Sequence, residues 1–171
     1  DLDIHQRPDP EGPAHGHVAQ RGQVVDLDGQ ANSTRWFGLE PDEMEATSAA
    51  LMLREATVEE AVVETNTEGV RLVPANEGVY ADGIRLQQVT GREMRLATAL
   101  RNLKDTDVVL IDCQPSLGLL TVNALTAAQG VMIPLECEFF SLRGVALLKT
   151  TIDKVRERLN PDLEIDGVLG T

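Results

Sequence analysis

The stretch DVVLIDCQPSLG, residues 107–118, decides which fold the chain can adopt. Residues 108–111 are a continuous apolar and β-branched run, which is typical of a parallel strand covered on both faces. Asp112 follows where that strand is expected to end. Gln114-Pro115-Ser116 then breaks the strand and starts a helix predicted at 117–129, with the serine as its candidate N-cap. Because the carboxyl ends of strands face the ligand crevice in open α/β sheets, we expect Asp112 to hold a cation or a water beside a bound phosphate.

Strands and helices continue to alternate on both sides of this stretch. Alternation of this kind implies right-handed crossovers and an α/β fold, with a doubly wound, mainly parallel sheet and helices on both of its faces. Further strands are predicted at 24–25, 69–73, 131–135 and 165–169, and further helices at 43–54, 58–63, 86–104 and 142–159.

Acidic residues follow several of the predicted strands. Because the carboxyl ends of parallel strands share one edge of a sheet, that edge is expected to collect Asp26, Asp28, Asp112 and Glu136. Like charges repel, so such a cluster makes poor sense for stability unless a cation or a water uses it in phosphate chemistry. A solvated acidic rim without a ligand is the alternative.

Composition and charge narrow the possible classes of function. The 171 residues are 42% hydrophobic and 25% charged, which is typical of one globular domain. The formal net charge of -13 argues against nucleic-acid binding through the net field of this chain. No apolar run approaches the ~20 residues of a membrane span, and no segment resembles a signal peptide, so a cytoplasmic protein without membrane contact is expected.

Residues 1–19 are predicted to be an irregular arm, because they are rich in Pro, Gly and His and lack hydrophobic periodicity. His5, His15 and His17 lie in this arm, but no set of three ligands has convincing metal-binding spacing, which favours a solvated tail. Cys113 and Cys137 belong to no CxxC pair, so both are expected to be small core residues.

Four segments together resemble the ParA-type partition ATPases of the deviant Walker group, to which MinD-like and nitrogenase iron-protein-like ATPases are related. The likeness covers residues 20–171, which we interpret as a partial ParA-type ATPase domain. Gly29 stands where the family usually has Pro, and Gln114 replaces a Pro of its Walker B segment. The segments are VVDLDGQANST at 24–34, LVPAN at 72–76, VLIDCQPSLGLLTVNAL at 109–125 and IPLECEFFSLRGVALLKTTI at 133–152.

The resemblance implies a P-loop NTPase-like domain that binds ATP and Mg²⁺ and forms a nucleotide-sandwich homodimer. The dimer would load onto nonspecific DNA and be released when a ParB-like partner protein stimulates hydrolysis, in the cytoplasm and on the nucleoid. Carried over by position, Asp28 orients the attacking water, Asp26 lies near the Mg²⁺ shell, and Asp112 holds Mg²⁺ through water. Gln30, Gln114, Pro115 and Glu138 fall in the nucleotide or switch loops.

The family's phosphate-binding loop, KGGVGKT followed by Ser or Thr, has no counterpart in this sequence, so no Walker A residue is assigned. Gly-Lys-Thr does not occur, and residues 1–18 offer neither a buried first strand nor a phosphate nest. Very weak Mg-ATP binding is therefore expected, and whether this chain hydrolyses ATP stays open. A frame error or a degraded copy is our hypothesis for the pattern. The family's C-terminal part, with much of its DNA-binding surface, is also expected to be missing beyond residue 171.

Three other functions remain to be weighed. A MinD-like membrane-cycling ATPase is the nearest alternative, and its distinguishing C-terminal amphipathic helix is not in these residues. A nucleotide-independent interaction module, or a remnant that pairs with an intact homologue, is the second. A flavodoxin-like or Rossmann oxidoreductase is disfavoured, because no predicted strand is followed by GxGxxG and no ribose-binding acid lies at the needed distance.

Overall fold

The part of the chain that the structure describes contains six strands and seven α-helices. The structure is a computed structural model that describes residues 21–135 and 141–170, without the side chains of residues 141–143. The strands are β1 (Gly22–Asp26), β2 (Val63–Glu64), β3 (Val70–Val73), β4 (Val108–Asp112), β5 (Gly130–Leu135) and β6 (Glu164–Gly170). The helices are α1 (Asn32–Trp36), α2 (Ser48–Leu53), α3 (Val58–Ala61), α4 (Gly78–Leu86), α5 (Arg95–Leu100), α6 (Leu119–Ala127) and α7 (Ser141–Arg158), and 3₁₀ turns cover Pro41–Glu43 and Arg92–Met94.

β1 is an inner strand of a four-stranded sheet with the order β2-β3-β1-β4. It runs parallel to β3 on one side and to β4 on the other, whereas the short β2 pairs antiparallel with β3. Val24 and Val25 of β1 and Leu72 and Val73 of β3 are all buried. Since neighbouring residues of a strand point to opposite faces, the sheet is covered on both faces there. The predicted α/β class and mainly parallel sheet are confirmed.

β5 and β6 form a separate parallel sheet of two strands. α6 joins the two sheets, because its Leu120 and Ala124 lie in one hydrophobic core and its Leu125 in the other. Asn160, just after α7, donates from Nδ2 to the carbonyl oxygens of Leu125 (2.9 Å) and Ala128 (2.7 Å). These contacts fasten the second sheet to the end of α6.

The larger core lies between the four-stranded sheet and the helices α2, α4, α5 and α6. Met52, Leu86 and Leu96, one from each of the first three helices, are almost completely buried. Full burial of a side chain of this size contributes about 1.5–3 kcal/mol relative to exposure. This core fixes β1 and β4, whose carboxyl ends carry acidic residues. No helix within the described residues 21–135 and 141–170 is long and apolar enough to cross a membrane.

The prediction that residues 108–111 are buried on both faces is wrong. Val109 is 38% exposed and Leu110 is 48% exposed. The reason is that β4 is the last strand of the four-stranded sheet among the described residues, with a hydrogen-bonded neighbour only on the β1 side. The strand itself lies where it was predicted, at Val108–Asp112.

Two helix predictions are wrong because turns interrupt them. The single helix expected at 86–104 is instead the end of α4, a 3₁₀ turn and α5, and Gly91 between them has a left-handed φ of +67°. The helix expected at 43–54 begins only at Ser48, where the Thr47 side chain accepts a hydrogen bond from the N–H of Ala50 (3.3 Å) and caps it.

Two further helices are shorter than predicted. The helix expected at 117–129 runs from Leu119 to Ala127, with Gly118 rather than Ser116 as its N-cap residue and no side-chain cap. The serine instead contributes its carbonyl oxygen, which accepts a hydrogen bond from the Thr121 hydroxyl. The helix expected at 58–63 ends at Ala61, and Val63 lies in β2.

Candidate functional site

Asp26 and Asp112 lie side by side at the carboxyl ends of β1 and β4. They are partners in the parallel register of these strands, and the N–H of Leu27 donates to the carbonyl oxygen of Asp112 at 2.9 Å. The pairing follows from two apolar strand sequences that each end in an acid. It confirms that the sheet brings these two acids to one edge, as the strand pattern predicted.

Asp26 is a buried carboxylate that accepts hydrogen bonds from the loop after β1 and from α1. Its Oδ2 accepts hydrogen bonds from the backbone N–H (2.9 Å) and the hydroxyl (2.7 Å) of Thr34, and its Oδ1 accepts one from the N–H of Asp28 (3.0 Å). Burial raises the pKa of Asp26 above its ordinary value, and the charge of Asp112 adds to this, although the three hydrogen bonds oppose it. Asp26 therefore organises the loop from within.

Thr34 extends this network to a third segment of the chain. Its hydroxyl oxygen accepts a hydrogen bond from the N–H of Ala75 at 3.0 Å, in the loop that follows β3. Both Thr34 and Ala75 are buried. One hydroxyl therefore joins α1 to the end of β1 and to the loop after β3.

Asp112 is exposed, unlike Asp26, and it faces the start of α1. The hydroxyl of Ser33 donates to its Oδ2 at 2.5 Å. A carboxylate and a hydroxyl are hard oxygen donors of the kind that Mg²⁺ prefers, and Mg²⁺ typically keeps several waters while it bridges one or two carboxylates to phosphate oxygens. The donor set of Asp112 and Ser33 fits a water-mediated magnesium site beside a phosphate.

Asp28 lies two residues beyond the end of β1 and is half-buried. Its Oδ1 accepts hydrogen bonds from the backbone N–H of Gln30 (3.0 Å) and from the hydroxyl of Tyr80 (3.2 Å) on α4. The side-chain amide of Gln30 in turn donates to the same hydroxyl at 3.4 Å. Asp28 is thus oriented by a group from the loop after β1 and by a group from α4, and it is only half-buried.

Cys113, directly after β4, is half-buried and packs against the larger core, as predicted for a small core residue. Burial, followed by the nearby charges of Asp112, Asp26 and Asp28, raises the pKa of its thiol to about 12. A thiol in this environment stays protonated at neutral pH and is a poor nucleophile or metal ligand. Cys137, its predicted companion, lies outside the described residues.

Of the remaining predicted site residues, three are described by the structure and two are not. Gln30 is exposed beside Asp28, Gln114 is half-buried and Pro115 is exposed after β4. Glu136 and Glu138 lie outside the described residues. Within residues 21–135 and 141–170, no three His, Cys, Asp or Glu side chains are grouped closely enough to hold a metal ion by themselves.

Sequence reasoning missed Ser33, Thr34 and Tyr80. The two hydroxyl residues stand in the segment 24–34 that resembles the family motif, so their place in that motif was an available signal. Tyr80 lies about fifty positions from Asp28, and no spacing or periodicity in the sequence indicates that they meet.

Comparison with known proteins places this site in context. A sequence profile described as an AAA domain matches residues 17–165. An uncharacterised protein of Mycobacterium tuberculosis is 45% identical over 162 residues, which are 94% of this chain and 51% of that protein. The chromosome partitioning protein ParA of Myxococcus xanthus is 40% identical over 153 residues, or 89% of this chain and 54% of that protein. The chain therefore spans about half the length of these two relatives.

The fold is also similar to that of a solved structure. Cobyrinic acid a,c-diamide synthase from Mycobacterium smegmatis, with bound ATP analog and magnesium, superimposes with a TM-score of 0.84 and 41% sequence identity. The match covers 89% of this chain and 62% of that one. The mainly parallel sheet with helices on both sides is therefore that of a P-loop NTPase.

Proposed function

Since the chain belongs to the AAA domain family and is of the ParA type, we propose that it supplies the magnesium and water side of an ATP-hydrolysing site in chromosome or plasmid partitioning. The register pairing of Asp26 with Asp112 carries this proposal, together with Asp28 two residues further on. Acids at adjacent strand ends are costly unless they serve a cation or a reacting water. The name of the ParA relative supports the partitioning role. The 41% identical structure with bound ATP analog and magnesium supports the choice of nucleotide.

Each acid has its own role in this proposal. Asp112 and Ser33 would hold a water of the Mg²⁺ shell, because Asp112 is exposed, Ser33 is half-buried, and their side-chain oxygens are 2.5 Å apart. Mg²⁺, when bound, would neutralise charge on the transferred phosphoryl group of ATP. Asp28 would accept a hydrogen bond from the attacking water and so fix its direction.

Asp26 would act through the loop rather than by direct coordination. Both of its carboxyl oxygens accept hydrogen bonds from protein donors, and the side chain is buried. It therefore constrains residues 27–34, the segment that carries both Asp28 and Ser33. Phosphoryl transfer depends on positioning more than on a strong nucleophile, so this indirect role matters for rate.

The phosphate side of the site is not assigned to these residues. Backbone N–H groups of a glycine-rich loop and a lysine normally hold the phosphates, and the 171 residues contain no Gly-Lys-Thr. We therefore expect weak Mg-ATP binding by this chain. If it binds no nucleotide at all, a nucleotide-independent interaction module is the function that remains.

The wider activity follows from the same family membership and is part of the proposal. A homodimer that binds nonspecific DNA and responds to a ParB-like partner would act on the nucleoid in the cytoplasm. The net charge of -13 fits a DNA-binding surface outside these residues. The name of the Myxococcus xanthus relative, a chromosome partitioning protein, supports this setting.

Calorimetric titration with ATP tests the proposal, with and without Mg²⁺. Wild type and an Asp112→Asn variant are compared with a charge-matched control, Asp153→Asn, whose acid pairs with Lys149 on α7. We expect Mg²⁺ to strengthen ATP binding in wild type and in the control, but not in Asp112→Asn. The assignment would be overturned if the ATP affinity of the wild type did not depend on Mg²⁺, or if Mg²⁺ raised the ATP affinity of all three proteins equally.

A further inference from the structure

The ring of Tyr80 lies directly over Gly29, in the turn between Asp28 and Gln30. A Cβ atom at Gly29 would lie 2.7 Å from both Cδ2 and Cζ of that ring, which is closer than real Cβ atoms approach. Gly29 is not among the residues with a positive φ, so its backbone does not demand glycine. The glycine is instead required by the space that the tyrosine occupies.

The Tyr80 hydroxyl completes a small network around one carboxyl oxygen. It donates to Oδ1 of Asp28 at 3.2 Å and accepts from Nε2 of Gln30 at 3.4 Å, while the N–H of Gln30 donates to the same Oδ1 at 3.0 Å. Within the described residues, the Tyr80 hydroxyl and the Gln30 N–H both donate to Oδ1 of Asp28. Oδ2 is therefore the oxygen available to accept a hydrogen bond from water.

Tyr80 is itself held by the start of α4. Asn76 anchors this start, since its Nδ2 donates to the carbonyl oxygen of Met44 (3.1 Å) and its Oδ1 accepts from the N–H of Gly78 (2.9 Å). Tyr80 is nevertheless 44% exposed, so burial alone does not explain the position of its ring over the turn. The position of the ring is specified by its contact with Gly29 and by the hydrogen bond from its hydroxyl to Asp28.

We propose that Tyr80 is a positioning residue that orients the Asp28 carboxylate, and that Gly29 is its necessary partner. The proposal rests on the proposed function for the role of Asp28 in hydrolysis, but the contact itself can be tested separately. In the family motif that the sequence resembles, proline usually stiffens the position of Gly29. Here the ring of Tyr80 would restrict the same turn from outside, which compensates for the flexibility that glycine introduces.

The contact is tested first by NMR of the full chain with ¹³C-labelled tyrosine, because the sequence contains a single tyrosine and gives one ring signal. Asp28→Asn and Gly29→Ala are each expected to shift the Cζ signal of Tyr80, since the first changes the hydroxyl's acceptor and the second displaces the ring. Asp153→Asn is the control and should leave the signal in place. The proposal would be overturned if the chemical shift of the Tyr80 Cζ signal were the same in wild type, Asp28→Asn and Gly29→Ala.

The positioning role is tested next by steady-state ATP hydrolysis. Loss of one hydrogen bond to Asp28 in Tyr80→Phe is expected to lower kcat roughly 3- to 10-fold with KM unchanged. Gly29→Ala should give a similar loss, and the double variant Gly29→Ala/Tyr80→Phe should lose little more, because both changes break one contact. An unchanged kcat in Tyr80→Phe would overturn the positioning role even if the NMR contact is present.

The two proposals fail in different ways. Absence of Mg²⁺-dependent ATP turnover in wild type contradicts the proposed function, and the NMR comparison then decides alone whether Tyr80 holds Asp28. Normal turnover in wild type with no response of kcat to Tyr80→Phe leaves the proposed function standing and removes only the role of Tyr80.

Discussion

Thr34 donates two hydrogen bonds to one carboxyl oxygen of Asp26, from its backbone N–H at 2.9 Å and from its hydroxyl at 2.7 Å. The same hydroxyl accepts the N–H of Ala75 at 3.0 Å. All three residues are buried, so these bonds form away from competing water. The geometry of the acidic edge therefore depends on a residue that contributes no charge.

Replacement of Thr34 by valine keeps the shape of the side chain and removes the hydroxyl. We expect Thr34→Val to lower the free energy of unfolding by about 1–3 kcal/mol, because a buried carboxyl oxygen loses a donor and a buried N–H loses its acceptor. Thr34→Ser, which keeps the hydroxyl, should lose less. Urea denaturation measures both variants. Thr98→Val is the control, since its hydroxyl is exposed on α5, and an equal loss there would contradict the prediction.

The raised pKa of Asp26 predicts a pH dependence of stability. A carboxyl whose pKa is higher in the folded than in the unfolded state binds its proton more tightly when folded. Its contribution to stability is therefore fully present below the unfolded pKa, near 3.8, and is lost as pH rises through the higher folded value. Urea denaturation between acidic and neutral pH, compared with Asp26→Asn, isolates this contribution from the other acids.

The expected difference has a definite sign. As pH rises above 3.8, the free energy of unfolding of wild type should fall relative to that of Asp26→Asn, until the folded carboxyl is fully ionised. A difference that stays constant over this range would show that the pKa of Asp26 is the same in both states. A difference of the opposite sign would show that its hydrogen bonds from Thr34 and Asp28 outweigh burial.

The parallel strands could be predicted because their residues carry the information locally. The sequences of β1, β3 and β4 each contain a short apolar run that ends at a residue unsuited to a strand interior. In β1 and β4 that residue is an acid, Asp26 and Asp112 respectively. Parallel pairing then brings the acids together without further detail. The helices were less predictable, because apolar residues at nearly helical spacing continue on both sides of Gly91 although the backbone turns there.

The contacts around Asp28 could not be predicted in the same way. Tyr80 reaches it from α4, and its position depends on the anchoring of that helix by Asn76 and on the missing side chain at Gly29. These are three-dimensional conditions with no periodicity in the sequence. The exposure of Val109 was also unpredictable, because the sequence of a strand does not indicate whether that strand lies inside a sheet or at its edge.

Asp28→Ala is expected to abolish ATP hydrolysis and leave nucleotide binding largely intact, since the proposed role of Asp28 is to orient water rather than to hold phosphate. Turnover and ATP affinity are measured on the same preparations, the first by phosphate release and the second by calorimetry. Asp153→Ala, which removes an exposed acid of α7, is the matched control. Retained turnover in Asp28→Ala would remove this residue from the mechanism.

The exposed apolar residues of β4 predict self-association of the isolated chain. Val109 and Leu110 are 38% and 48% exposed on a strand that, within the described residues, has a partner on one side only. Open strand edges with apolar side chains template pairing with other chains. We expect the 171-residue chain to elute as aggregates or to unfold with a low midpoint, and Leu110→Lys to shift it toward monomer in size-exclusion chromatography. Leu147→Lys is the control, because it replaces another exposed leucine, on α7. An equal shift toward monomer in this control would contradict the role of the β4 edge. A wild-type chain that is monomeric and unfolds cooperatively with a high midpoint would contradict it as well.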